Sequence, residues 1–120
     1  MQIGIDIQET ERVRPFIGTD KMERIFTLHE LEYFMEKNWA FETIAGLFCA
    51  KEAFFKALGI GIQISRLQDI EIKHNLHGAP YYNLSAGIVT EHQLQTARIS
   101  LSISHTKTTA VAVCIIAKII

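Results

Sequence analysis

Asp6, Glu52 and Lys56 stand inside apolar runs, where a charge is costly to desolvate unless it is paired, hydrogen-bonded or bound to metal. Asp6 sits beside Ile5 and Ile7, with Gly4 on its own face of the alternating stretch MQIGIDIQ; a missing side chain there leaves room for a ligand. Read alone, Asp6 also fits a strand-end residue facing water. Lys51, Glu52 and Lys56 are the only charges between Glu42 and Arg66. An i,i+4 Glu52–Lys56 brace on a wet helix face contributes ~0.2–0.5 kcal/mol, but Phe48, Ala53, Phe54, Phe55 and Ala57 leave little wet surface for one. A carboxylate on a strand and another on a helix could instead hold magnesium, which takes hard oxygen ligands and often only one or two carboxylates plus phosphate oxygens. A neighbouring lysine would then neutralise phosphate charge.

Ser104-His105-Thr106 offers hydroxyls, an imidazole and turn amides in one place, suited to docking a phosphate or simply to ending a strand. A Ser-His hydrolase is disfavoured, because adjacent strand residues point to opposite faces. Arg12, Arg14, Lys21 and Arg24 are interleaved with Val13, Phe16, Met22, Ile25 and Phe26. That pattern fits a basic docking face with apolar anchors, or solvated charges over core residues; Glu9, Glu11, Asp20 and Glu23 dilute it enough to favour an acidic helical protein over nucleic acid.

The elements that must position these residues follow from periodicity. MQIGIDIQ alternates with period two and reads as a half-buried first strand, Ile3, Ile5 and Ile7 on one face and Gln2, Gly4, Asp6 and Gln8 on the other. Residues 11–17 and 21–26 read as short helical turns, and Thr27 with Glu30 forms a capping box opening an ordinary amphipathic helix, LHELEYFMEK. From about Ala40 to Leu58 the chain is apolar around most of the helical circumference and stops at Gly59, the pattern of a central buried helix. LQDIEIKH reads as a strand, HGAPYYNL as a turn and short strand, and residues 85–95 as a further short helix. ARISLSISH and the run from Thr109 to Ile120 form an antiparallel hairpin around Thr106–Thr108. The expectation is an α+β fold, residues 1–120 forming one domain with a mainly antiparallel sheet packed on the central helix.

With 120 residues, 48% hydrophobic and 21% charged, the chain suits one core and argues against disorder. A net charge of -1 gives no whole-protein attraction to nucleic acid or anionic membrane. No secretory leader pattern opens the chain, and the apolar ending is interrupted by Lys118 and too short for a spanning helix. Cys49 and Cys114 lie in apolar runs without CxxC spacing, as buried reduced thiols of a cytoplasmic protein.

GIDI at 4–7, FCAKEAFFKALGIG at 48–61, DIEI at 69–72 and SISHTK at 102–107 together closely resemble the holo-acyl-carrier-protein synthases, nearly end to end. The resemblance implies a 4'-phosphopantetheinyl transferase fold and transfer of the 4'-phosphopantetheine arm of coenzyme A to a serine of apo-acyl carrier protein, releasing adenosine 3',5'-bisphosphate. It matches Asp6 and Glu52 to the magnesium ligands; Lys56 would stabilise the transferred charge, and Glu52, directly or through a water, is the candidate acceptor of the serine proton. It implies coenzyme A contacts at Phe48, His105 and Thr106, carrier-protein docking by Arg12 and Arg24, and a homotrimer with active sites between subunits. Two departures stand out: IAGLFCAKEA where the family usually reads LAGRFAAKEA, and GAP where it reads GKP, so Leu47 and Ala79 replace basic residues expected near the coenzyme A 3'-phosphate. An active transferase of fatty-acid synthesis, one dedicated to a secondary-metabolite carrier protein, and a carrier-binding homologue without catalysis are the readings carried forward.

Overall fold

The computed structural model describes residues 1–118, so the last two positions of the strand expected to run to Ile120 lie outside the described residues. Strand β1 (Gln2–Glu9) leads through a 3-10 turn (Thr10–Phe16) into helices α1 (Asp20–Ile25), α2 (Leu28–Glu36) and α3 (Phe41–Ala57). A second 3-10 turn (Ile64–Asp69) opens β2 (Ile70–His74), followed by β3 (Pro80–Leu84), α4 (Ala86–Glu91), β4 (Ala97–His105) and β5 (Thr109–Lys118). The architecture is α+β: an antiparallel sheet ordered β1-β5-β4 and a two-stranded antiparallel sheet β2-β3, with α3 packed between them.

Helix α3 is central because nearly every side of it is apolar. Ile44, Ala45, Leu47, Cys49, Ala50, Ala53, Phe54, Phe55 and Ala57 are all buried. Its contact with β1 is unusually close: a Cβ on Gly4 would stand 2.0 Å from the Ala53 carbonyl oxygen and 2.4 Å from the Ala57 nitrogen. Gly4 therefore makes room for a helix backbone, not for a ligand as its position beside Asp6 had implied.

The same packing decides which face of β1 is inside. Gly4 and Asp6 are buried and Gln8 is half-buried, whereas Ile3, Ile5 and Ile7 are 57–65% exposed. The isoleucine face lies beside Val111, Val113 and Ile115 of β5, so the sheet presents an apolar outer surface. The period-two alternation holds, and the buried face is the one carrying Gly4, Asp6 and Gln8, because only the face carrying glycine lets α3 approach.

The β4–β5 hairpin turns at Thr106–Thr108, where the Thr106 hydroxyl accepts the Thr109 N–H at 3.1 Å. The strand expected over LQDIEIKH is shorter, since residues 64–69 coil into a 3-10 turn closed by Arg66 on Asp69 at 2.7 Å. The capping box of α2 forms with both bonds, yet α2 is not an ordinary surface helix: Glu30 is fully buried and ion-paired to Lys51 of α3 at 2.8 Å. Cys49 and Cys114 are free and buried, and burial pushes both thiols up, Cys114 to about 11. No helix among the described residues is long and apolar enough to cross a membrane.

Candidate active site

Asp6 projects from the inner face of β1 and Glu52 from the fourth turn of α3, and the β1–α3 contact brings together two carboxylates that are 46 positions apart in sequence. Between them lies Gln8, whose side-chain amide donates to Asp6 Oδ2 at 3.3 Å and to Glu52 Oε2 at 3.4 Å. Lys56 Nζ donates to Asp6 Oδ1 at 3.0 Å. The i,i+4 Glu52–Lys56 brace is thus not made; Asp6 takes the lysine, because it lies deeper and more needs a counter-charge. Lys56 keeps about half of its side chain exposed (54%), free to face a ligand as well.

Burial and the nearby Asp6 carboxylate push the Glu52 carboxyl up to about 7, against the opposing pull of Lys56 and Gln8. The site therefore holds more negative charge than its own residues neutralise. Two close carboxylates, one buried and one half-exposed, are hard oxygen donors that suit a magnesium-type cation finishing its coordination with water or phosphate oxygens. Among the described residues no group of three or more His, Cys, Asp or Glu side chains is placed to hold a metal by itself. That excludes a closed, all-protein cage there and fits an open two-carboxylate site.

The Glu52 carboxylate opens onto two adjoining apolar clefts. One, of about 500 Å³, runs past Gln8, Arg12, Phe16, Ile44 and Phe48. Its neighbour, of about 390 Å³, runs past Phe16, Lys21, Arg24, Phe48 and Ile64. Phe48 lies one helical turn from Glu52 and forms a wall common to both. Arg12 and Arg24 stand at the rims, the latter tied to Asp20. Helix α3 sends its 44, 48 and 52 positions to this side.

His105 and Leu47 are elsewhere. They line a separate cleft of about 170 Å³ with Tyr33, His74, Gly78 and Pro80, on the side reached by Thr43, Gly46 and Leu47 of α3. The Gly78–Pro80 turn is shaped by Asn75, whose Oδ1 accepts the His77 and Ala79 N–H groups at 2.9 and 3.0 Å. Both departures from the basic pattern, Leu47 and the turn holding Ala79, thus sit at one place. Thr106 is absent from that lining; its hydroxyl is engaged by the hairpin turn. Within one chain, Phe48 lies with the carboxylates, whereas His105 does not.

The chain matches the model of the 4'-phosphopantetheinyl transferase superfamily over residues 2–114. It is 47% identical over 113 residues to the holo-[acyl-carrier-protein] synthase of Alkaliphilus oremlandii, covering 92% of this chain and 93% of that one. The chain belongs to this superfamily, in its holo-[acyl-carrier-protein] synthase family. The synthase of Caldicellulosiruptor saccharolyticus is 45% identical over 120 residues, covering 97% of this chain and 94% of its own. The synthase structure from Neisseria meningitidis superposes with a TM-score of 0.84 at 31% identity, covering 98% of each chain. That from Helicobacter pylori, in complex with coenzyme A, has a TM-score of 0.80 at 34% identity, over 96% of this chain and 99% of that one.

Two features of this synthase-family chain escaped the sequence. Gln8 shares the period-two face of Asp6, which could have marked it, but an exposed-looking glutamine near a strand end carries no signal of its own. The Glu30–Lys51 pair joins a capping-box residue to the lysine beside Glu52, and although Lys51 stands in an apolar run, nothing local identifies its partner. Its ammonium also donates to the Leu67 and Ile70 carbonyls at 2.8 and 2.7 Å, while Glu30 accepts the Ile72 N–H at 2.9 Å. The pair ties α2, α3 and β2 together one residue from a site carboxylate.

Proposed function

We propose that residues 1–120 act as one transferase domain that moves the 4'-phosphopantetheine arm of coenzyme A to a serine of apo-acyl carrier protein, giving holo-acyl carrier protein and adenosine 3',5'-bisphosphate. The observation that carries this reading is the convergence of Asp6, Glu52 and Lys56, linked through Gln8, with Glu52 opening onto an apolar cleft that Arg12 also lines, in a chain of this family. Asp6 and Glu52 would hold Mg2+, which when bound neutralises pyrophosphate charge and orients the transferred group.

The chain's own residues do the rest. Lys56 offers its ammonium to the transferred phosphoryl group. Glu52, directly or through a water, takes the proton of the attacking serine hydroxyl as the new O–P bond forms and the bond to adenosine 3',5'-bisphosphate breaks. Phe16 and Phe48 line an apolar channel for the arm and reduce water access to the reacting phosphorus. Arg12 and Arg24 at its rim suit the acidic face of a carrier protein.

His105 and Thr106 serve the nucleotide end of coenzyme A; the separate Leu47–His105 cleft supports this for His105, and for Thr106 the support is the family resemblance. The family resemblance implies a homotrimer with active sites between subunits, and the opening of that cleft and of the carboxylates on different sides of α3 supports a site completed between copies of the chain. The exposed Ile3, Ile5 and Ile7 face supports such an assembly, because an uncovered apolar strip of this kind marks an interaction surface. Buried reduced cysteines support a cytoplasmic setting, and fatty-acid synthesis is the pathway this activity serves.

Incubation with apo-acyl carrier protein, coenzyme A and Mg2+, followed by mass spectrometry, tests the reading. A mass gain of one phosphopantetheine on the carrier serine is the expected result. No gain on any carrier tested would leave a binding-only homologue.

A further inference from the structure

The two site carboxylates lie close together, and one polar side chain contacts both of them. Gln8 is the next inward-facing residue after Asp6 on β1, and its amide nitrogen lies 3.3 Å from Asp6 Oδ2 and 3.4 Å from Glu52 Oε2. Both contacts are long for N–H···O bonds, and the Asp6 contact goes to the oxygen left over once Lys56 has taken Oδ1. An amide N–H group bridging two carboxylates occupies the kind of position a cation would take. It is the weakest positive group that can stand there.

We infer that Gln8 is a third residue of the cation site, supplying its amide oxygen to a hard divalent cation or to that cation's water. An amide carries donor and acceptor on atoms of nearly equal size. Turning the amide over about its last torsion exchanges the N–H group for Oε1 without changing the space it fills. When Asp6 and Glu52 face each other without a cation, the donor is the favoured end; when a cation neutralises them, the oxygen is. A glutamine at this position serves both states, which an aliphatic residue cannot do and a third carboxylate can do only for the loaded one. The side chain is half-buried and lines the apolar cleft beside Glu52, so it can reach toward an incoming phosphate. This inference rests on the reading of Asp6 and Glu52 as the cation ligands.

The test measures binding, not turnover. Mn2+ binding to the free protein, followed by the loss of its free-ion electron paramagnetic resonance signal, is compared among wild type, Gln8→Leu, Gln8→Glu and Asp6→Asn, with thermal melts in chelator confirming that each is folded. Gln8→Leu is expected to weaken Mn2+ binding roughly tenfold or more, the scale of a lost outer-shell partner. Gln8→Glu, which keeps an oxygen in place, is expected to bind at least as tightly as wild type, a rescue that a purely packing role would not give. Unchanged affinity in Gln8→Leu, with Asp6→Asn abolishing binding, overturns the role of Gln8 and leaves the carboxylate pair standing. Equal weakening in Gln8→Leu and Gln8→Glu also overturns it. Retained binding in Asp6→Asn would instead overturn the reading of the pair itself.

Discussion

Replacing Lys51 by Met should unfold much of what holds Glu52 in place, and the cost can be worked from the contacts. The Lys51 ammonium is fully buried and has three oxygen partners: Glu30 Oε1 at 2.8 Å and the carbonyls of Leu67 and Ile70 at 2.8 and 2.7 Å. Lys51→Met strands the Glu30 carboxylate in the core, at about 3–5 kcal/mol for breaking one side of a buried pair. Against a total stability of about 5–15 kcal/mol this is a large share. With a urea slope of about 1–3 kcal/mol/M, the midpoint should fall by roughly 2 M. Two signatures separate this mechanism from simple loss of packing. The Glu30→Gln/Lys51→Met double variant should cost less than the two single costs added together, since a neutral pair leaves no stranded charge. Burial already raises the Glu30 pKa from 4.5, and removing the ammonium raises it further. A raised acid is at ease in the fold when protonated, so the destabilisation should be full above the raised value and shrink as pH falls through it. Additive single costs, or a penalty that does not shrink on acidification, would refute the reasoning.

Gly4→Ala should be among the most damaging small substitutions, because its Cβ would meet backbone atoms of α3 at 2.0 and 2.4 Å and push away the strand that carries Asp6; a urea melt like wild type would show that the strand can shift freely. In chelator the Glu52 carboxyl, raised to about 7, contributes stability that is present below about pH 4.5 and lost as pH rises through about 7. Thermal midpoints should therefore decline across that window, Glu52→Gln should flatten the decline, and a flat wild-type profile would contradict the burial argument. Leu47→Arg should lower the KM for coenzyme A several-fold by adding a cation beside His105, and an unchanged KM would show that the 3'-phosphate lies elsewhere. Ile5→Asp, at a position 57% exposed in the single chain, should shift sedimentation toward the 13.6 kDa monomer; an unaltered assembly would remove this face from the interface.

The parts of the fold that were legible in the sequence are those set by local chemistry. The Thr27 capping box, the apolar girth of α3 and the period-two hairpin strands β4 and β5 each depend on neighbours within a few residues, and each formed as expected. What escaped were choices made by tertiary contact. The inner face of β1 went to Gly4, Asp6 and Gln8 over three isoleucines because helix approach outweighed burial of those side chains in the single chain, about 1.5–3 kcal/mol each when complete. The pairing of Glu30 with Lys51 was not legible because it spans 21 positions and two elements. For the same reason reading Asp6 together with Glu52 needed the family resemblance: no spacing rule links position 6 to position 52.

The phase of α3 carries the last step. One side of the helix presents Ile44, Phe48 and Glu52 to the basic-rimmed clefts; the other presents Thr43, Gly46 and Leu47 to the cleft of His105. Residues 47 and 48 are adjacent in sequence yet about 100° apart around the helix, so a change at one side leaves the other's geometry alone. The intact Asp6, Glu52 and Lys56 cluster and the altered Leu47–Ala79 corner are therefore separable in function. In the proposed reading the first governs the cation and the transferred phosphoryl group, the second only how tightly the nucleotide end of the donor is held. Leu47→Arg should then move the KM for coenzyme A while Mn2+ affinity of the free protein stays at the wild-type value, and a joint change in both would mean that the two sides of α3 communicate.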